Sequence, residues 1–83
     1  MLTIDLKIIA NELTPGLTGG EYSIEDGMTV LDLLALCENA CGASIPEKNY
    51  EYMYPLFNGR PVGLETVLTG NGTLHICRAV SGG

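Results

Sequence analysis

Two sets of residues in this 83-residue chain have types and spacing that could do chemistry. The first is the ending Val80-Ser81-Gly82-Gly83, which leaves an apolar stretch and stops on two glycines. Glycine lacks a Cβ, so a Gly-Gly carboxylate is thin and pliable enough to enter a narrow pocket of another protein. The plain alternative is a frayed terminus or a cloning scar. The second set is Cys37, Cys41, Cys77 and the single His75. Structural zinc wants four ligands and iron–sulfur clusters want four cysteines at tighter spacings, which three cysteines and one histidine do not supply. Cys37 and Cys41, four apart, therefore read as small core residues, and no bound metal or cofactor is expected. The chain also lacks a GxxxxGK[ST] phosphate loop, so nucleotide chemistry, if it occurs, belongs to a partner.

Composition narrows the classes further. Hydrophobic residues make up 46% of the chain and charged residues 17%, the balance of a folded domain. A domain of this size buries only about 60% of its unfolded surface and has little room for a deep active site beside its core. Ten acidic residues against four basic ones give a net charge of -6, and no basic stripe is present to displace counterions from phosphate. Nucleic acid is excluded as an expected partner, and a basic protein surface is favoured. No run approaches the ~18 apolar residues of a membrane span, and Met1-Leu2-Thr3-Ile4-Asp5 has no basic leader region. No membrane association is expected, and with an odd number of cysteines the expected location is a reducing cytoplasm.

The elements that must position these groups follow from periodicity. Leu2, Ile4, Leu6 and Ile8 alternate with Thr3, Asp5 and Lys7, which predicts a strand with one buried face. Pro15, Gly16, Gly19 and Gly20 mark a long loop, and Glu21 to Glu25 alternates again as an antiparallel partner. Thr29 caps a helix with Asp32 three residues on, and Met28 can staple onto Leu33. Val30, Leu33, Leu34, Cys37, Ala40 and Cys41 share its apolar face, and Gly42 closes it. Residues 43–52 read as connection. Met53 to Phe57 is a strand whose Pro55 places it near an edge or at an irregularity of the ladder. Asn58-Gly59 predicts a type I′ hairpin returning through Arg60-Pro61-Val62. Leu64 and Leu68 suggest a helical turn filling the core, and Gly70-Asn71-Gly72 turns into a last strand from Thr73 to Val80. The longest and most apolar strands, first and last, are expected side by side and parallel at the centre. Leu74 and Ile76 then face the helix, and His75, Cys77 and Ala79 face the open side. Tyr50, Tyr52 and Tyr54 alternate and read as sheet packing; the acidic balance argues against a platform for stacked bases.

This order resembles the ubiquitin-like β-grasp fold, and within it the MoaD/ThiS family of small sulfur carriers, over essentially the whole chain. The resemblance rests on Thr29-Val30-Leu31-Asp32-Leu33-Leu34, Phe57-Asn58-Gly59-Arg60-Pro61-Val62, Leu68-Thr69-Gly70-Asn71-Gly72 and Val80-Ser81-Gly82-Gly83. It implies an α+β mixed sheet of about five strands with one main helix across one face, in a domain of residues 1–80 followed by a flexible tail of residues 81–83. It also implies that this chain is a carrier and co-substrate, not an enzyme. The Gly83 carboxylate, next to Gly82, would be adenylated with ATP by an E1-like partner, converted to a thiocarboxylate with sulfur from a donor protein, and discharged to a sulfur-accepting synthase. His75, Cys77, Ala79, Val80 and Ser81 would form the partner-binding surface. The long first loop is more similar to the molybdopterin or tungstopterin type than to the thiamine type. Two positions depart from the family pattern: Asn71, where an Asp is usual, and Cys77-Arg78, where an apolar or proline pair is usual. The second bears on which partner is recognised. Rival readings are a protein modifier joined to lysine through Gly83, a non-covalent interaction domain, and a β-grasp iron–sulfur protein.

Overall fold

A computed structural model describes residues 1–79. Val80, Ser81, Gly82 and Gly83, to which the expected tail and part of the expected partner surface belong, lie outside the described residues. The fold is α+β, a five-stranded mixed sheet with one α-helix across one face. The strands are β1 (Leu2–Ile8), β2 (Gly20–Ile24), β3 (Met53–Phe57), β4 (Arg60–Pro61) and β5 (Gly72–Arg78), in the order β2-β1-β5-β3-β4. β1 and β5 are parallel neighbours at the centre, with Leu6 beside Leu74 and Lys7 beside His75. β2 and β3 flank them antiparallel.

Period-two alternation puts Ile4, Leu6, Leu74 and Ile76 against the helix, all at 1% exposure or less. The helix α1 (Val30–Cys41) answers with Val30, Leu33, Leu34 and Cys37, each fully buried. Its start is a capping box: the Asp32 amide donates to Thr29 Oγ1 at 3.1 Å and the Thr29 amide to Asp32 Oδ2 at 2.9 Å. Its end is Gly42 in the left-handed region at φ 65°, where a side chain would be strained. Ala40, expected on the buried face, is exposed, and Cys41 is only half-buried. The buried stripe therefore runs from Val30 to Cys37 and ends there, Cys41 facing the Thr18 amide and the Tyr22 hydroxyl instead.

The helical turn expected around Leu64 and Leu68 is instead a single tight turn followed by extended chain. The Thr66 amide closes onto the Gly63 carbonyl at 3.1 Å, and the carbonyls of Thr66 and Leu64 accept the amides of Val30 and Leu31 at 3.1 and 3.0 Å. A helix there would consume the carbonyls that the first turn of α1 needs, since those amides have no partner within α1. Leu68 still fills the core, at 1% exposure.

The β3–β4 hairpin turns through Asn58 (φ 52°) and Gly59 (φ 81°), both positive as a two-residue I′ loop requires. Asn58 also braces the neighbouring strand. Its backbone amide donates to the Thr73 carbonyl and its side-chain oxygen accepts the Thr73 amide, both at 2.9 Å. A Cβ at Gly72 would collide with that Asn58 amide group, so a larger residue at the start of β5 would have to push the Asn58 side chain off the Thr73 amide. Pro55 sits one strand in from the edge, and its carbonyl accepts the Val62 amide at 3.0 Å. The missing Pro55 donor thus falls on the β4 side, where that two-residue strand has little left to pair.

Residues 47–52, which read as connection in the sequence, form a 3₁₀ helix, Glu47–Tyr52. Tyr50 and Tyr52 therefore lie on a helical turn and do not alternate with Tyr54 along a strand. Tyr50 packs on the core, while Tyr52 and Tyr54 are 48% and 45% exposed. The last strand ends at Arg78, short of the expected Val80. No helix among the described residues is long and apolar enough to cross a membrane.

Candidate functional site

The candidate site is the open face of the sheet and the point where β5 leaves it. His75 and Cys77 are there as alternation predicts, both half-buried, because Leu74 and Ile76 take the opposite side. Cross-strand register sets their neighbours. His75 stands between Lys7 on β1 and Leu56 on β3, and Cys77 stands opposite Tyr54. Tyr54 and Leu56 are additions to the expected surface, although alternation along Met53–Phe57, with Met53 and Pro55 buried, is enough to place them. The face divides by charge. Its β1–β2 half carries Asp5 opposite Glu21, with Lys7 Nζ 3.5 Å from Asp5 Oδ2. Its β5–β3 half offers His75, Cys77, Tyr54 and Leu56, none with a permanent charge. An uncharged, partly aromatic surface bordered by carboxylates suits a protein partner whose contact centre is apolar and whose margin is basic.

Ala79, expected on this face, lies just beyond the strand, half-buried, with its amide donating to the Tyr52 carbonyl at 2.7 Å. Arg78 bends the other way. One of its guanidinium nitrogens is 3.4 Å from Glu12 Oε2, and its Cζ lies 5.4 Å from the centre of the Tyr52 ring. Glu12 belongs to a short 3₁₀ turn, Asn11–Leu13, and Tyr52 ends the second 3₁₀ helix. Asn49 ties the two together by donating to the Leu13 carbonyl at 3.1 Å. Nothing in the sequence pairs Glu12 with Arg78, 66 positions apart.

The cysteines separate by environment. Burial pushes the Cys37 thiol up to about 11. Cys41 sits at the flank of α1, where its sulfur accepts the Thr18 amide at 3.4 Å and lies 3.6 Å from the Tyr22 hydroxyl. The Thr18 amide favours the thiolate and lowers the Cys41 pKa. Burial, then the contact with Cys41, raises that of Tyr22, whose hydroxyl donates to the Thr18 carbonyl at 2.6 Å. This group fastens the β1–β2 loop to the helix. Cys77 is distant from it in the fold, and among the described residues no three His, Cys, Asp or Glu side chains gather as a metal site would require.

Sheet order, a single helix across one face and a parallel central pair define a ubiquitin-like β-grasp fold. Among solved structures the chain is similar to small archaeal modifier protein 1 of Haloferax volcanii, with a TM-score of 0.72 and 19% identity over 96% of this chain and 100% of that one. A second structure, of SAMP1 from Haloferax volcanii, gives 0.64 and 19% over 98% of this chain and 99% of that one. A protein described as a putative molybdopterin converting factor, subunit 1, from Pyrococcus furiosus gives 0.65 and 19% over 96% and 100%. No protein-family model and no curated protein matches the chain.

Proposed function

We propose that this protein is a sulfur carrier whose working group is the Gly83 carboxylate, with residues 81–83 as the tail that presents it. The observation that carries the reading is the junction of the β5–β3 half of the open face, which bears no carboxylate, with the outgoing end of β5 on a β-grasp frame, a few residues before Gly82-Gly83. A free carboxylate is a poor electrophile. An E1-like enzyme would let it attack the α-phosphate of ATP, releasing pyrophosphate and leaving an acyl-adenylate. The outer sulfur of a donor protein's persulfide then displaces AMP to give an acyl disulfide. A second thiol of the donor breaks its S–S bond, leaving a disulfide on the donor and the thiocarboxylate on Gly83. The thiocarboxylate passes its sulfur, as sulfide, to a synthase while water restores the carboxylate. Within this reading the molybdopterin or tungstopterin type is favoured over the thiamine type, in keeping with the long β1–β2 loop and the likeness to a molybdopterin converting factor subunit. His75, Cys77 and Ala79, with Val80 and Ser81 beyond them, would meet the partners. The protein contributes the carried group, and the partner supplies catalysis.

A second reading, attachment of the same activated carboxylate to lysine of other proteins, is favoured by the likeness to small archaeal modifier protein 1. Intact-mass measurement after incubation with ATP, the adenylating enzyme and a sulfur donor tests the first. The full chain should gain the difference between sulfur and oxygen, and a chain lacking Gly83 should gain nothing, since even ~1 Å of misplacement costs about a hundredfold. Equal conversion of both chains would remove Gly83 from the mechanism. Isopeptide-linked conjugates without any sulfurated form would favour the modifier.

A further inference from the structure

Beyond its ladders with β1 and β3, the outgoing end of β5 is tied down by residues that belong to neither strand. The Ile76 carbonyl accepts two amides, those of Ile9 and Ala10, each at 3.0 Å, and the Ala79 amide is held by the Tyr52 carbonyl. Between these ties Arg78 spans the gap from the Glu12 carboxylate to the Tyr52 ring. Three parts of the chain that are distant in sequence thus converge on one residue at the strand's last position. A strand end that only had to stop would not need them.

We propose that Glu12, Tyr52 and Arg78 are positioning residues that clasp the root of the tail and fix Ala79 as its point of departure. The proposal rests on the reading of Gly83 as the activated group. The guanidinium lies over the ring while one of its nitrogens reaches the carboxylate, so the two partners restrain different rotations of one side chain. With Arg78 held, the backbone at Ala79 is held, and the four residues beyond it can extend no farther than about 14 Å. The distance from the docked sheet face to the partner's α-phosphate is then set by this chain as well as by the partner. Without the clasp the same four residues would start from a fraying strand end, and fewer encounters would bring the carboxylate into line.

The test pairs hydrogen exchange with adenylation kinetics in Arg78→Ala, Tyr52→Ala, Glu12→Gln and Arg78→Lys. In Arg78→Ala and Tyr52→Ala the Ala79 amide should exchange on the order of tenfold faster while the Leu33 and Ile76 amides are unchanged. In ATP–pyrophosphate exchange with an E1-like enzyme, kcat for these variants should fall on the order of tenfold with KM unaltered, because the docking face is intact. Glu12→Gln should lower kcat in the wild-type background and do nothing in an Arg78→Ala background, and Arg78→Lys, which keeps the ion pair, should recover part of the loss. Unchanged Ala79 exchange in Arg78→Ala, or faster exchange with unchanged kcat, overturns the proposal. A wild-type chain that is not adenylated at all overturns the reading beneath it, and exchange at Ala79 then still decides whether the clasp exists.

Discussion

The two faces of this one sheet are built from alternate residues of the same strands and differ in what surrounds them. On one face Ile4, Leu6, Leu74 and Ile76 meet α1 with no solvent between. On the other, Asp5, Lys7, His75 and Cys77 occupy the intervening positions of the same two strands, and among the described residues no α-helix packs above them. The covered face supplies stability through apolar burial, and the open face can carry recognition because stability does not depend on it. In a domain this small the two roles are separated by a single residue of register, so a slip of one position would exchange them.

The largest break is expected on the covered face. Leu33→Ala removes a fully buried side chain and should cost about 2–5 kcal/mol in denaturant unfolding, while any chain that remains folded keeps its affinity for partners. A change within error would mean that α1 does not cover this face. The converse variant is Cys77→Asp, which places a charge on the half of the open face that has none. Its unfolding free energy should move by about 0.5 kcal/mol or less, while affinity for the adenylating enzyme falls on the order of tenfold by calorimetry. Unchanged affinity would rule the patch out as the docking surface.

Alkaline titration sharpens the same contrast. Cys37, wholly buried, keeps its proton to about 11, whereas the ordinary thiol releases it near 9.0. The unfolded chain loses this proton first, so stability present below pH ~9 should decline between ~9 and ~11. The raised Tyr22 acts in the same direction, and the lowered Cys41 in the opposite one, its contribution being lost as pH falls. Denaturant midpoints should therefore drop over that window and drop less in Cys37→Ser; parallel profiles would detach the effect from Cys37. The smallest effect is at the cap, where Thr29→Ala should cost about 1 kcal/mol, measured by thermal unfolding. A loss below ~0.3 kcal/mol would show that the carbonyls of Leu64 and Thr66 alone suffice to start the helix.

Elements held by local chemistry are legible in the sequence. The alternation of β1 and β5, the Thr29–Asp32 box, the αL position at Gly42 and the Asn58-Gly59 turn each depend on residues within a few positions of one another. The 3₁₀ helix Glu47–Tyr52 is not legible there, because Glu-Lys-Asn-Tyr-Glu-Tyr has no period and is fixed by distant partners such as the Leu13 carbonyl on Asn49. The same holds for the site. His75 and Cys77 follow from period two, but Glu12 and Tyr52 reach Arg78 only through the tertiary fold. The departure at Asn71 also becomes clear: its side-chain oxygen accepts the Thr3 amide at 2.8 Å, which a carboxylate oxygen would do equally well.

The parallel pairing of β1 with β5 has a consequence for synthesis. On a chain leaving the ribosome β1 emerges first, yet the strand that lies between β1 and β3 is the last of the five to appear. Until then β1 and β2 form a hairpin with no sheet to join, and β3 and β4 form another, each too small to be stable alone. Interrupted translation therefore yields no folded body. A partner that recognises the assembled sheet can engage only chains that were made through β5.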